Sequence, residues 1–373
     1  MDFKNGRIFT EDFRFVLGAF SVEEGRFAAV LGPEKPGAVD LKGACVIPGL
    51  VDIHTHGNSG ADFSDGDEKG LRRMAAYLAK SGVTSFAPTS MTLPYEVLEA
   101  AFRTARRVKD APDPGSARIQ GINMEGPFLL EKRKGAQNAA YLKNPDYEAF
   151  CRLNESCGGL VRLVDVAPEL PGAVAFAQKA SKDCLVSMAH TDCTYEEARA
   201  FLAAGASHIT HLYNAMPGIH HREPGPIGAG SEEEKVTAEL ISDGFHIHPS
   251  AVRMAFKLFP GRICLISDAM RACGMADGEA DLGGQKVFIQ GKKATLADGT
   301  LAGSATNLFD CMVTAISFGI PPEEAVRSAT ATPAQKLGCF GEVGSIADGK
   351  VADFVVYGDG FRLQRVYLGG EPV

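Results

Sequence analysis

The sequence predicts an α/β protein: a (β/α)8 TIM-like barrel carrying a small β-sandwich domain built from both ends of the chain. Three observations lead there. Between residues 46 and 267, eight short runs rich in Val, Ile and Leu alternate with amphipathic stretches, the pattern of parallel strands joined by helices. Short β-like segments occur near both termini, neither set large enough to bury a core alone. The histidines and carboxylates that chemistry can use fall just past the apolar runs. A doubly wound open sheet is the competing arrangement, and the third observation separates the two, because in a barrel these strand ends all face one mouth.

Residues 1 to 45 carry strand-like pieces at Arg7 to Phe9, Phe13 to Leu17 and Phe27 to Val30, separated by Gly, Pro and acidic turns. Val351 to Tyr357 and Leu363 to Leu368 are again β-branched and alternating. This assigns 1–48 and 344–373 to the small β-sandwich and 49–343 to the barrel. The barrel strands fall at 46–53, 83–89, 118–124, 160–166, 184–189, 206–210, 235–241 and 262–267. Helical stretches between them include 68–80, 95–108, 172–181, 195–203 and 250–258, with 305–318 and 322–331 closing the barrel. Residues 283–301 hold two alternating runs joined at Gly291, with a further turn signal in Asp298-Gly299, and read as a β-hairpin inserted after the eighth strand.

Composition narrows the function. With 45% hydrophobic and 23% charged residues, the 373-residue chain is ordinary globular material. No apolar run approaches the roughly 18 residues of a membrane span, so a soluble protein without a membrane partner is expected. The net charge of −8, without a clustered basic face, argues against nucleic acid as a partner but leaves room for an anionic small molecule held by a local arginine. Nine cysteines, an odd number scattered singly without a C-x-x-C pair, point to reduced thiols in the cytoplasm. The N-terminal Met-Asp-Phe-Lys-Asn-Gly-Arg lacks a signal-peptide layout, so no export is expected.

The polar residues carry the chemistry. His54 and His56, spaced i, i+2, share one face of the first strand and can grip one metal ion; a satisfied structural pair is the alternative. Unit three ends at Glu125, unit five at His190, unit six at His211 and unit eight at Asp268. Four imidazoles and a carboxylate suit Zn, Fe, Co or Mn, and a remaining carboxylate can act as base on water. The plainer readings are capped core histidines at 190 and 211 and a helix cap at Asp268. Glu125, at the end of a buried strand, needs a cation partner. His208 reads as structural, His220, His221 and His248 as exposed, and His246 as facing the mouth. Arg222 is a natural anion clamp, with a surface ion pair to Glu223 as the alternative.

These residues sit in recognisable company: Pro48-Gly49-Leu50-Val51-Asp52-Ile53-His54-Thr55-His56-Gly57, Met124-Glu125-Gly126-Pro127-Phe128, Ala189-His190-Thr191, Thr210-His211-Leu212-Tyr213-Asn214-Ala215-Met216, Arg222-Glu223-Pro224-Gly225, Asp243-Gly244-Phe245-His246 and Ser267-Asp268-Ala269. Over essentially its whole length the chain resembles the amidohydrolase superfamily and, within it, the family of N-acetylglucosamine-6-phosphate deacetylases. The resemblance implies hydrolysis of the acetamide to glucosamine 6-phosphate and acetate. It implies a divalent metal held by Glu125, His190 and His211, with zinc favoured, and Asp268 as general acid and base. It also implies that Ala136, Asn214, Ala215, Arg222, His246, and Leu301, Ala302 and Gly303 on the inserted hairpin contact the amino-sugar phosphate. Arg222 would reach the site of the neighbouring subunit in a homodimer. Retention of His54 and His56 makes a second ion plausible, so one or two ions per chain are expected. Gln137 stands where several members have a substrate-contacting histidine; an amide donates a hydrogen bond but carries no proton. No lysine stands at a strand end as a carbamylated bridge, which leaves Glu125 for that place. The competing functions are another amidohydrolase acting on a cyclic amide or N-acyl amino acid, and an inactive barrel kept as an oligomeric binding protein.

Overall fold

The computed structural model describes residues 1–373. Eight parallel strands form the barrel: Leu50–Thr55, Val83–Pro88, a third in two pieces (Arg118–Ile119 and Ile122–Met124), Val161–Val166, Leu185–Met188, His208–Ile209, Thr237–Ile241 and Ile263–Ile266. The first piece of the third strand pairs with the second strand and the other piece with the fourth, so the break at Gln120-Gly121 lets one strand serve both neighbours. The ring closes where Thr55 bridges Ala269 and the Asp268 N–H donates to the His54 carbonyl at 2.9 Å.

The strands are buried on both faces, which is why they read as near-continuous apolar runs. Helices wrap the outside with one apolar stripe inward, as in Glu68–Lys80, whose Leu71, Met74, Ala75 and Leu78 are buried and whose first N–H groups are capped by Asp67. A capping box of Thr194 and Glu197 starts Tyr195–Ala203. No helix is long and apolar enough to cross a membrane.

A second, eight-stranded sheet draws its strands from residues 2–48 and 354–372. It folds back on itself: Phe27 and Phe354, on strands far apart in the sheet order, lie 5.8 Å apart between ring centroids, with Phe3, Phe20 and Tyr367 packed around them. Its aromatic core holds together strands from opposite ends of the chain.

Two segments differ from expectation. The first apolar run is two strands, not one: Cys45–Pro48 pairs with Phe354–Gly358 in the terminal sheet, and Leu50–Thr55 enters the barrel. Gly49 is the crossover, where a Cβ would stand 2.1 Å from the Thr84 hydroxyl oxygen, so only glycine lets the chain pass. The hairpin expected within 283–301 forms about Gly291 from Gln285–Gln290 and Lys293–Thr295, but a further strand, Gly278–Leu282, joins it to make a three-stranded antiparallel sheet. Gly283-Gly284, both at positive φ, form its first turn; the strand before them, Gly-Glu-Ala-Asp-Leu, is poor in β-formers and is recruited by pairing alone.

The barrel and the terminal sheet are joined by an ion pair between Arg118 and Asp353, the latter carboxylate only 2% exposed. Asp353 also accepts the Gly369 N–H. Arg118→Ala leaves this carboxylate buried with its cation gone, and a loss of about 2 kcal/mol in unfolding free energy is expected by chemical denaturation, at the low end for broken buried pairs because the arginine is part exposed.

Candidate active site

The side chains singled out in the sequence stand at one end of the barrel. His54 lies in the first strand and His56 just past it; Glu125 follows Met124; His190, His211 and Asp268 each stand two residues beyond their strands. Those last three adopt positive φ, of 45°, 29° and 46°. The backbone hooks left as each strand ends, and that turn aims the side chain inward rather than along the barrel wall.

Glu125 is the hub. Its Oε1 lies 3.1 Å from His190 Nε2 and 3.1 Å from His211 Nε2, which are themselves 3.1 Å apart. On the other side Glu125 Oε2 is 3.4 Å from His56 Nε2, while Oε1 is 3.6 Å from His54 Nε2. The two imidazoles of the first strand approach each other at 3.3 Å between Nε2 atoms. Two donor groups with metal-binding spacing result, Glu125–His190–His211 and His54–His56–Glu125. Asp268 belongs to neither, and its Oδ1 faces His56 Nε2 at 3.3 Å.

The donors fit an ion for a reason beyond proximity. His190 Nδ1 is 2.7 Å from the Arg133 carbonyl and His56 Nδ1 is 3.2 Å from the Thr89 carbonyl. Carbonyls only accept, so both Nδ1 atoms carry the proton and both Nε2 atoms turn lone pairs toward Glu125. Lone pairs and a carboxylate aimed at one point repel unless a cation lies among them.

Ionisation tells the same story. Burial pushes the Glu125 carboxyl up, but the imidazoles of His190, His211 and His54 packed around it outweigh this and hold the group well below the usual carboxylate range. Asp268 is likewise held down, against its burial, by His56, His54 and His211. Burial disfavours charge on His56 and His211, yet Asp268 and Glu125 raise both above the ordinary imidazole value. This is an electronegative pit that takes up positive charge.

Above it opens a cavity of about 400 Å³, the size of a small-molecule site. Ala136, Gln137, Asn214, Ala215, His246, Leu301 and Gly303 line its walls. His246 is fixed by Asp243, whose carboxylate lies 2.7 Å from His246 Nδ1. Ala302 does not line the cavity; it packs with Met91, Met270 and Leu282 under the insert. Arg222 does not reach it within its own chain: it is exposed and rests against His221 at 2.9 Å. Glu223 is engaged elsewhere, accepting the Tyr195 N–H at the start of a helix, so the alternative surface pair does not form.

Sequence reading missed Lys132 and Arg133, which line the same cavity and both pair with Asp192. Their basic run, Lys132-Arg133-Lys134, is the one signal that could have found them. It also missed how Gln137 is used. The Thr92 N–H can only donate, and it donates to Gln137 Oε1 at 2.7 Å, so the amide nitrogen must face Glu125 Oε2, to which it is hydrogen-bonded. Gln137→Leu removes a donor from a charged acceptor. About tenfold weaker metal retention is expected in dialysis against a chelator.

The sequence profile of the amidohydrolase family matches residues 45–373. The N-acetylglucosamine-6-phosphate deacetylase of Bacillus subtilis (strain 168) is 36% identical over 364 residues, covering 95% of this chain and 92% of that protein. The N-acetylgalactosamine-6-phosphate deacetylase of Escherichia coli O157:H7 is 32% identical, covering 98% and 97%. Among solved structures, the N-acetyl-D-glucosamine-6-phosphate deacetylase of Mycobacterium smegmatis superposes with a TM-score of 0.93 at 32% identity over the full length of both chains. The profile and the full-length relatives agree with the strand-end histidines and carboxylates, and the chain belongs to the amidohydrolase family.

Proposed function

We propose that the protein hydrolyses the acetamide of N-acetylglucosamine 6-phosphate, releasing acetate and glucosamine 6-phosphate. The observation that carries the reading is the convergence of Glu125, His190, His211 and Asp268 at the floor of one sugar-sized cavity. Relatives named for this activity support it, as does an aspartate-to-alanine variant of the Mycobacterium smegmatis enzyme in complex with N-acetyl-D-glucosamine-6-phosphate.

Glu125, His190 and His211 would hold one divalent ion, with zinc favoured by the nitrogen and oxygen donors, and His54 and His56 would share Glu125 with a second. A bound ion supplies acidification of a water molecule and polarisation of the amide carbonyl. The rest falls to the chain. Asp268, ionised and free of both donor groups, takes the proton of the attacking water and delivers it to the departing amine. Asn214, Ala215, Leu301 and Gly303 bound the sugar, while His246 and Arg222 take the phosphate, so binding energy remote from the amide orients it. As Arg222 lies outside its own cavity, a homodimer in which it enters the neighbouring subunit completes the site. Nine unpaired thiols suit the cytoplasm.

Acetate release from N-acetylglucosamine 6-phosphate by purified protein, with metal content measured on the same sample, tests the reading. The Escherichia coli relative is named for the C4 epimer, so both sugars belong in the assay; the gluco substrate is expected to turn over with the higher kcat/KM. For Arg222→Ala, KM for the phosphorylated sugar is expected to rise about 100-fold, the scale of one charge-assisted phosphate contact. An equal loss on unphosphorylated N-acetylglucosamine would refute the clamp.

A further inference from the structure

Glu239, in the middle of the seventh barrel strand, is wholly buried and lies outside both metal-spaced groups. Its Oε2 is 2.9 Å from His54 Nδ1 and accepts the His211 backbone N–H at 3.2 Å. Its Oε1 is 3.3 Å from His208 Nε2, and the far nitrogen of His208 is 2.6 Å from the Thr237 hydroxyl. One carboxylate therefore touches the first strand, the sixth strand and the backbone of His211.

A carboxylate offers only acceptors, so each neighbour must donate to it. His54 then carries its proton on Nδ1. His208 carries its own on Nε2, which leaves its Nδ1 to accept the Thr237 O–H. The chain of bonds has one consistent direction, and it ends with the His54 Nε2 lone pair pointing to His56 and Glu125. Nothing else in contact with His54 Nδ1 does this.

We propose that Glu239 is the positioning residue of the second ion position: by fixing the tautomer and tilt of His54 it turns His54–His56–Glu125 into a binding site. The inference rests on the two-ion reading given above. It assigns to Glu239 no contact with substrate or metal. Its effect falls mainly on the second position: His190 takes its ring orientation from the Arg133 carbonyl, and Glu239 meets His211 only at the backbone N–H.

The test uses the full-length protein, stripped of metal and titrated with zinc by calorimetry and elemental analysis, alongside Glu239→Gln, Glu239→Asp and His54→Asn. Wild type is expected to bind two ions. In Glu239→Gln the amide must donate to one former donor, and the second ion is expected to bind 10- to 100-fold more weakly while the first changes less than about threefold. Glu239→Asp should regain part of that loss. Nitrogen-15 spectra of histidine-labelled protein read the tautomer directly: the His54 Nδ1–H form should dominate in wild type and be lost in Glu239→Gln. If wild type binds two ions and Glu239→Gln binds the second equally well, the role of Glu239 is refuted and the two-ion reading stands. If wild type binds only one, the two-ion reading fails and takes the proposal with it. Should Glu239→Gln not fold, Thr237→Val, which removes only the far end of the chain, is expected to weaken the second ion a few-fold; no change would overturn the proposal.

Discussion

Asp268→Asn is expected to lower kcat about 10⁴-fold while leaving metal content unchanged. The single carboxylate is asked to accept a proton in one step and return it in the next, and general acid–base catalysis contributes roughly 10²–10⁴-fold, so the upper end applies. The substitution is clean. Asparagine matches aspartate in size and shares its tolerance of the left-handed backbone at this position, so the hook at the end of the eighth strand survives. Asp268 is outside both donor groups, and the ions should stay. Acetate release and elemental analysis on one preparation check both halves. A variant within tenfold of wild type would remove Asp268 from the reaction.

Glu125→Gln is expected to abolish both metal binding and turnover. Glu125 is the one residue common to the two donor groups, and an amide is a far poorer ligand than a carboxylate. After dialysis, metal is expected below about 0.1 per chain, and activity down about 10³-fold or more, without recovery in excess metal. The variant should also unfold more easily than the metal-loaded wild type, since the stabilisation that a bound ion gives the folded chain is lost. His54→Asn gives the contrast, keeping one equivalent of metal. Full metal content in Glu125→Gln would sink the assignment of Glu125 as the shared ligand.

Much of the fold and the site is legible in the amino-acid order, and for a physical reason. Parallel strands covered on both faces are apolar throughout, so His190, His211 and Asp268 mark strand ends by ending the apolar runs, and barrel topology then brings those ends together. What is not legible involves contacts that no period encodes. Glu239 sits inside Thr237-Ala238-Glu239-Leu240-Ile241, and the spacing says that it needs partners but not that they are His54 and His208. The pairing of Lys132 and Arg133 with Asp192 depends on where a long loop folds back. The helix Gly225–Ser231, of sequence Gly-Pro-Ile-Gly-Ala-Gly-Ser, has almost no intrinsic helical preference and exists because its Ile227 and Ala229 are packed into the core.

The leftward hooks at His190, His211 and Asp268 set this protein's heat resistance against its usefulness. Histidine and aspartate tolerate this backbone better than most side chains, yet each still costs up to about 1 kcal/mol relative to glycine, and three together are appreciable beside the roughly 5–15 kcal/mol that keeps a typical domain folded. Glycine at any of the three releases that cost and deletes the chemistry. A library of variants sorted by melting temperature alone would therefore gather inert barrels, and selection for a hardier catalyst has to look to the terminal sheet and the outer helices instead.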